Sequence, residues 1–238
     1  MHFDLHEFDL QDHGPSVQIS GKIGPVQLGL LSRYDYYLLE TNSFLQQATA
    51  FPWMSFAIGD FGRTSLFYEM RWQEYKQLDY RISNGYHHAL GIRQLFFLGS
   101  PDRYLSLGYQ FEREDPVIDD DLVDAGVFTK AAAKALAYDG DQVEVGVVSP
   151  LIAEVEVELV YAYRHERYLS QSEMFSGPDD TPGPRRRDDE HIVIVGARRP
   201  VMEHVDLIAA YLGEFNNSKD PDYEFNRHIV SLTLEARF

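Results

Sequence analysis

The side chains able to do chemistry in this chain are carboxylates, guanidinium and ammonium groups, and imidazoles. There are 38 Asp and Glu, 21 Lys and Arg and 9 His, with no cysteine. Lack of Cys removes thiolate nucleophiles, zinc–thiolate sites and disulfides. A serine–histidine hydrolase needs a Ser beside a His, with a third group orienting the ring. His87, His88, His165, His191, His204 and His228 show no local Ser in such a pattern. In an extended chain His87 and His88 point to opposite sides, which does not suit a shared metal. Asp119, Asp120, Asp121 and Asp124 offer oxygen ligands for a divalent cation. Their spacing is not that of an EF-hand, and a solvated acidic loop fits it better. Arg185, Arg186 and Arg187 suit either lipopolysaccharide phosphates or an exposed mixed-charge loop, and the loop is the simpler reading. No catalytic residue, metal site or cofactor is expected, and the chain is not expected to be an enzyme.

The remaining charges are patterned, and the pattern identifies the elements that carry them. In AEVEVELVYAYRHERY, Val155, Val157, Leu159, Tyr161 and Tyr163 alternate with Glu154, Glu156, Glu158, Arg164 and Glu166. Near the C-terminus Val230, Leu232, Leu234, Ala236 and Phe238 alternate with Arg227, Ser231, Thr233, Glu235 and Arg237. A period of two over ten or more residues means strand. Such strands exceed the ~5–6 residues usual in globular proteins and match the ~9–11 that cross a bilayer. Comparable segments recur from HFDLHEF and VQISGKI onward, about twelve in all, with fourteen as the alternative.

Connections alternate in length. Short turns fall at 22–25, 59–62, 99–102, 149–152 and 200–203, and longer polar loops near 40–46, 77–84, 115–140, 169–189 and 216–223. An Ala- and Lys-rich stretch at 128–138 predicts a short helix within one loop. Short turns on one rim and long loops on the other are the plan of an outer-membrane barrel. The expected fold is therefore all-β: one antiparallel up-and-down transmembrane β-barrel over residues 1–238, with periplasmic turns and extracellular loops. Tyr36, Trp72, Phe111, Tyr163 and Phe215, outward near the long-loop ends of their strands, would form its interfacial girdle. The charges predicted to face the lumen are Glu69, Arg71, Glu112, Glu144, Glu154, Glu156, Glu158, Arg164, Asp206, Glu214, Arg227 and Glu235. They suit either a narrow pore with an acidic bias or a plug of Arg–carboxylate pairs. The net charge of -17 argues against nucleic acid, so no nucleic acid partner is expected. The opening MHFDLHEFDLQ has neither a basic n-region nor an apolar h-region, so no signal peptide is visible in this numbering.

The terminal Phe238, preceded by alternating apolar residues, resembles the signal read by the outer-membrane barrel assembly machinery. HVDLIAAYLGEF followed by NNSKDPDYEFNRHIVSLTLEARF also resembles the final hairpin of barrels linked to periplasmic tetratricopeptide repeats, among them the surface lipoprotein assembly modifiers. Asn216, Asn217, Tyr223, Phe225, Arg227 and Phe238 carry that likeness. It implies an integral outer-membrane pore or translocation conduit within an export or secretion assembly. Its partners would be outer-membrane lipids and lipopolysaccharide, the assembly machinery and a periplasmic or secreted protein. No tetratricopeptide period is present in this sequence. The rival class is a non-conducting barrel that anchors or scaffolds a partner.

Overall fold

The computed structural model of the chain describes residues 10–39, 42–126, 129, 133–151, 154–170, 185–202 and 204–236. Alternation becomes sheet along nearly all of that length. The strands are β1 (Leu10–His13), β2 (Ser16–Ile23), β3 (Val26–Leu39), β4 (Asn42–Ile58), β5 (Gly62–Tyr75) and β6 (Gly85–Ser100). They continue with β7 (Arg103–Pro116), β8 (Tyr138–Pro150), β9 (Glu156–Tyr168), β10 (Arg187–Met202), β11 (Val205–Ser218) and β12 (Phe225–Ala236). Each strand from β3 onward pairs antiparallel with the next, giving one 12-stranded up-and-down sheet. From β3 to β12 the lengths run from 12 to 17 residues, long enough to cross a bilayer at a tilt.

β1 and β2 both lie along β3, Leu10 opposite Leu39 and Ile23 opposite Val26, so they are two parts of one ladder position broken at Gly14–Pro15. Hydrogen-bonded order thus begins at β1/β2 and ends at β12. Both of these edge strands run from the long-loop rim to the short-turn rim. The sheet is curled: Gln18 of β2 and Ile194 of β10 line the same interior cavity.

Three sequence expectations change. The expected HFDLHEF strand lies outside the described residues, and among the described residues the first strand is β1 (Leu10–His13), which was not expected. The loop expected at 40–46 is tighter, because β4 already starts at Asn42 and its pairing with β3 carries the hairpin up to Leu39. In the 115–140 loop, α1 (Asp120–Asp124) forms where none was predicted, and the Asp119 side chain accepts from the Leu122 N–H at 3.4 Å. An N-cap carboxylate satisfies an otherwise orphaned donor and complements the helix dipole. Within the predicted 128–138 helix, the Ala133 N–H reaches the Thr129 carbonyl at 3.2 Å. Residues 128 and 130–132 of it lie outside the described set. No helix among the described residues is long and apolar enough to cross a membrane.

Candidate functional site

Cavity-lining residues fix which way each strand faces. Gln27, Ser55, Ser65, Arg93, Ser106 and Glu144 face the interior, and the cross-strand register carries that side around the sheet. On the opposite side Val17, Ile19, Leu66, Leu90, Leu107, Val143, Leu159 and Val230 are exposed, Val230 to 81%. The wall is therefore apolar outside and polar inside, the reverse of a soluble protein.

The predicted lumen charges sort as follows. Glu112 and Arg164 meet directly, and Arg164 also reaches Glu166 at 3.0 Å, Glu190 at 3.5 Å and the Tyr138 hydroxyl at 2.9 Å. Glu112 belongs to β7 and Arg164 to β9, with β8 between them. The bridge passes over Gly140, where a Cβ would lie 2.7 Å from Glu112 Cγ. Buried His87 sits beside the same group, 3.9 Å from Glu112 and 3.2 Å from Glu114. This cluster occupies the long-loop half of the interior. Elsewhere Glu144 pairs with Arg93 at 3.2 Å, Arg71 approaches Glu69 at 4.0 Å, and Arg227 pairs with Glu214. Arg198, absent from the predicted set, bridges Asp206 at 2.5 Å and Glu235 at 2.7 Å. Glu158 lines the cavity and Glu156 shares its side of β9. Glu154 is a correction: β9 starts at Glu156, and Glu154 lies in the preceding turn at φ 64, outside the wall. The alternation that suggested a strand from 153 is overruled because the chain must reverse between Pro150 and Glu156.

The girdle residues Tyr36, Trp72, Phe111, Tyr163 and Phe215 all share the outward side. Around them lies a motif that sequence reading missed. Tyr68 with His88, Tyr161 with His191 and Tyr211 with His228 pair hydroxyl to ring nitrogen at 2.7, 2.8 and 2.8 Å. Each pair joins neighbouring strands diagonally, the His one step nearer the long-loop rim. Tyr109 donates to Asp141 in the same way at 2.6 Å. These contacts mark where the outer face turns from apolar to polar.

Arg187 begins β10, whereas Arg186 is held by its own chain. Its guanidinium carbon lies 3.2 Å from the Tyr223 ring centroid and 4.3 Å from that of Tyr168, and it pairs with Asp188. Phe238 and Arg237 lie outside the described residues. No metal-holding group of three or more His, Asp or Glu occurs among the described residues.

The interior space beneath the Arg164 cluster is a cavity of about 840 Å³ in the short-turn half and middle of the wall. Gln110, which lines it, donates to Glu112 at 3.5 Å, so the cluster forms its ceiling. Aromatic residues also face this cavity, and sequence reading missed them: Phe51, Trp53, Phe67 and Tyr104. The available signal was their place on the polar side of an alternating strand, Phe51 and Trp53 in step with Thr49 and Ser55, and Phe67 in step with Ser65 and Glu69.

No family model matches the chain, and no curated protein matches it. Among solved structures it is similar to the translocator domain of the autotransporter NalP from Neisseria meningitidis. That similarity has a TM-score of 0.43 at 12% identity and covers 96% of this chain and 80% of the other.

Proposed function

We infer that this chain forms the membrane-spanning wall of a bacterial outer-membrane translocation conduit, with an acid-biased lumen narrowed at its long-loop end. One observation carries the reading: a curled sheet with an apolar outer face and a polar inner face that lines a cavity of about 840 Å³. In hydrocarbon such an exterior is matched to its solvent, while the interior keeps water and charges away from lipid. The likeness of the last hairpin to barrels of export assemblies supports the same reading. On it, the exterior contacts outer-membrane lipids and lipopolysaccharide, the assembly machinery inserts the chain, and a periplasmic or secreted protein meets the short-turn rim. The wall itself performs no reaction.

The Arg164 cluster favours a second reading, a plugged barrel that scaffolds a partner. Planar-bilayer recordings separate the two. A conduit gives a steady current that prefers cations, because Glu144, Glu156 and Glu158 focus a negative field in a low-dielectric wall. Changing all three to Gln should move the permeability ratio toward unity, most clearly at low salt where screening is weak. Silence under voltage supports the scaffold, and anion preference in the unaltered protein overturns the role given to these glutamates.

A further inference from the structure

Four aromatic residues line the polar cavity, Phe51, Trp53, Phe67 and Tyr104, and the three clustered on β4 and β5 need a reason. Trp53 and Phe67 lie flat against the wall, each over a glycine on the neighbouring strand. A Cβ at Gly29 would come within 2.3 Å of the Trp53 ring, and one at Gly91 within 2.2 Å of the Phe67 ring. Gly29 and Trp53 are register partners, as are Gly91 and Phe67. Phe51 stacks on Phe67 with centroids 5.5 Å apart and planes at 24°. All three line the cavity and are only half-buried, so faces or edges remain open to it. Packing filler inside a small barrel would be covered by side chains from the facing wall. Here the open side of the rings faces a mixed lining: neutral hydrogen-bonding groups (Gln18, Gln27, Ser55, Ser65, Ser106 and Gln110), charged Glu69, Arg93, Glu144 and Glu158, and apolar Val148, Val160 and Ile194 on the more distant strands.

We propose that this patch is a binding track for a linear glycan chain without acidic groups. A pyranose presents an apolar C–H face that stacks on an aromatic ring, while its equatorial hydroxyls radiate in the ring plane toward flanking amides and hydroxyls. Flat rings bordered by Gln and Ser reproduce both demands, as an apolar site with a few placed polar groups should. An unfolded polypeptide would use the rings equally but gains nothing specific from their flat seating on glycine. Glu69, Glu144 and Glu158 border the track and repel uronic acids and sulfated sugars, with Arg63 and Arg93 offsetting part of that field. The proposal rests on the conduit reading and names its cargo class.

The chain has two tryptophans, and Trp72 faces outward. Trp72→Phe therefore leaves Trp53 as the sole indole reporter in detergent-folded protein. Titration with cellohexaose, maltohexaose and chitohexaose should give a saturable change in Trp53 emission for at least one of them, with Kd on the order of 1 mM or tighter. Phe51→Ala and Phe67→Ala, checked for folding by their unboiled gel mobility, should weaken binding about tenfold, and an oligogalacturonate should bind more weakly still. No saturable change with any neutral sugar overturns the proposal. So does unchanged affinity in both Phe variants, or a response confined to an extended peptide. Fluorescence does not need an open pore. A saturable sugar response in a barrel that carries no current would retain the glycan track and retire the conduit, and current without a sugar response would do the reverse.

Discussion

With Leu159 facing the bilayer midplane, Leu159→Arg should destabilise the folded barrel by ~2–4 kcal/mol, whereas Val160→Arg, one residue along, should cost far less. Leu159 sits between Val157 and Tyr161 on the outer face and is 47% exposed, so its neighbour in the membrane is hydrocarbon. Val160 lines the polar cavity, where a guanidinium can keep its hydration and finds Glu158 nearby. The same contrast is expected between Leu207 and Ile208 on β11, which differ in the same way. Urea titrations of protein refolded into lipid vesicles measure all four. Equal costs on the two faces would mean that the inside and outside of the wall have been exchanged.

The second large effect is expected at Arg164. Arg164→Met leaves Glu112, Glu166 and Glu190 facing one another with no cation among them, and the Glu112 side chain is only 3% exposed. Removing one partner of a buried ion pair costs about 3–5 kcal/mol, because the charge left behind keeps its desolvation penalty. Arg164 retains some solvent contact, so the lower end of that range is expected. Combining Arg164→Met with Glu112→Gln should restore much of the loss, and a double-mutant cycle in urea gives the coupling directly. Additive penalties would show that the cluster is a crowd of separately solvated charges. Because the cluster forms the ceiling of the cavity, the double variant should also raise any current across the wall.

These two predictions draw on different depths of the sequence. Strand direction and side were legible because a side-chain period of two is a local property: Leu159 and Val160 need only their own neighbours to be placed. The Arg164 cluster was legible only in part. Each member was assigned to the lumen, but the bridge from Glu112 spans 52 residues of sequence and crosses a strand at Gly140. No local pattern records that passage. Glu154 shows the opposite failure, where alternation ran on past the point at which the chain turns. Trp53 and Phe67 were hidden because an aromatic residue on a polar strand face carries no label until curvature shows what lies opposite. The diagonal Tyr–His contacts were invisible for a similar reason, since they depend on the register between strands.

The break in the ladder at Gly14–Pro15 leaves β1 and β2 as one edge, and that edge points the same way as β12. Among the described residues every hydrogen-bonded pair of strands is antiparallel. If these two edges met directly, their ladder would be parallel, a handshake between chains walking in step. A second copy inserted with the same orientation does not help, because its two edges also descend from the long-loop rim. Hydrocarbon tolerates no row of unpaired N–H and C=O groups, so the direction of travel becomes a selection rule on whatever seals the seam. An antiparallel seal admits only a strand that climbs from the short-turn rim to the long-loop rim, with apolar side chains turned toward the lipid.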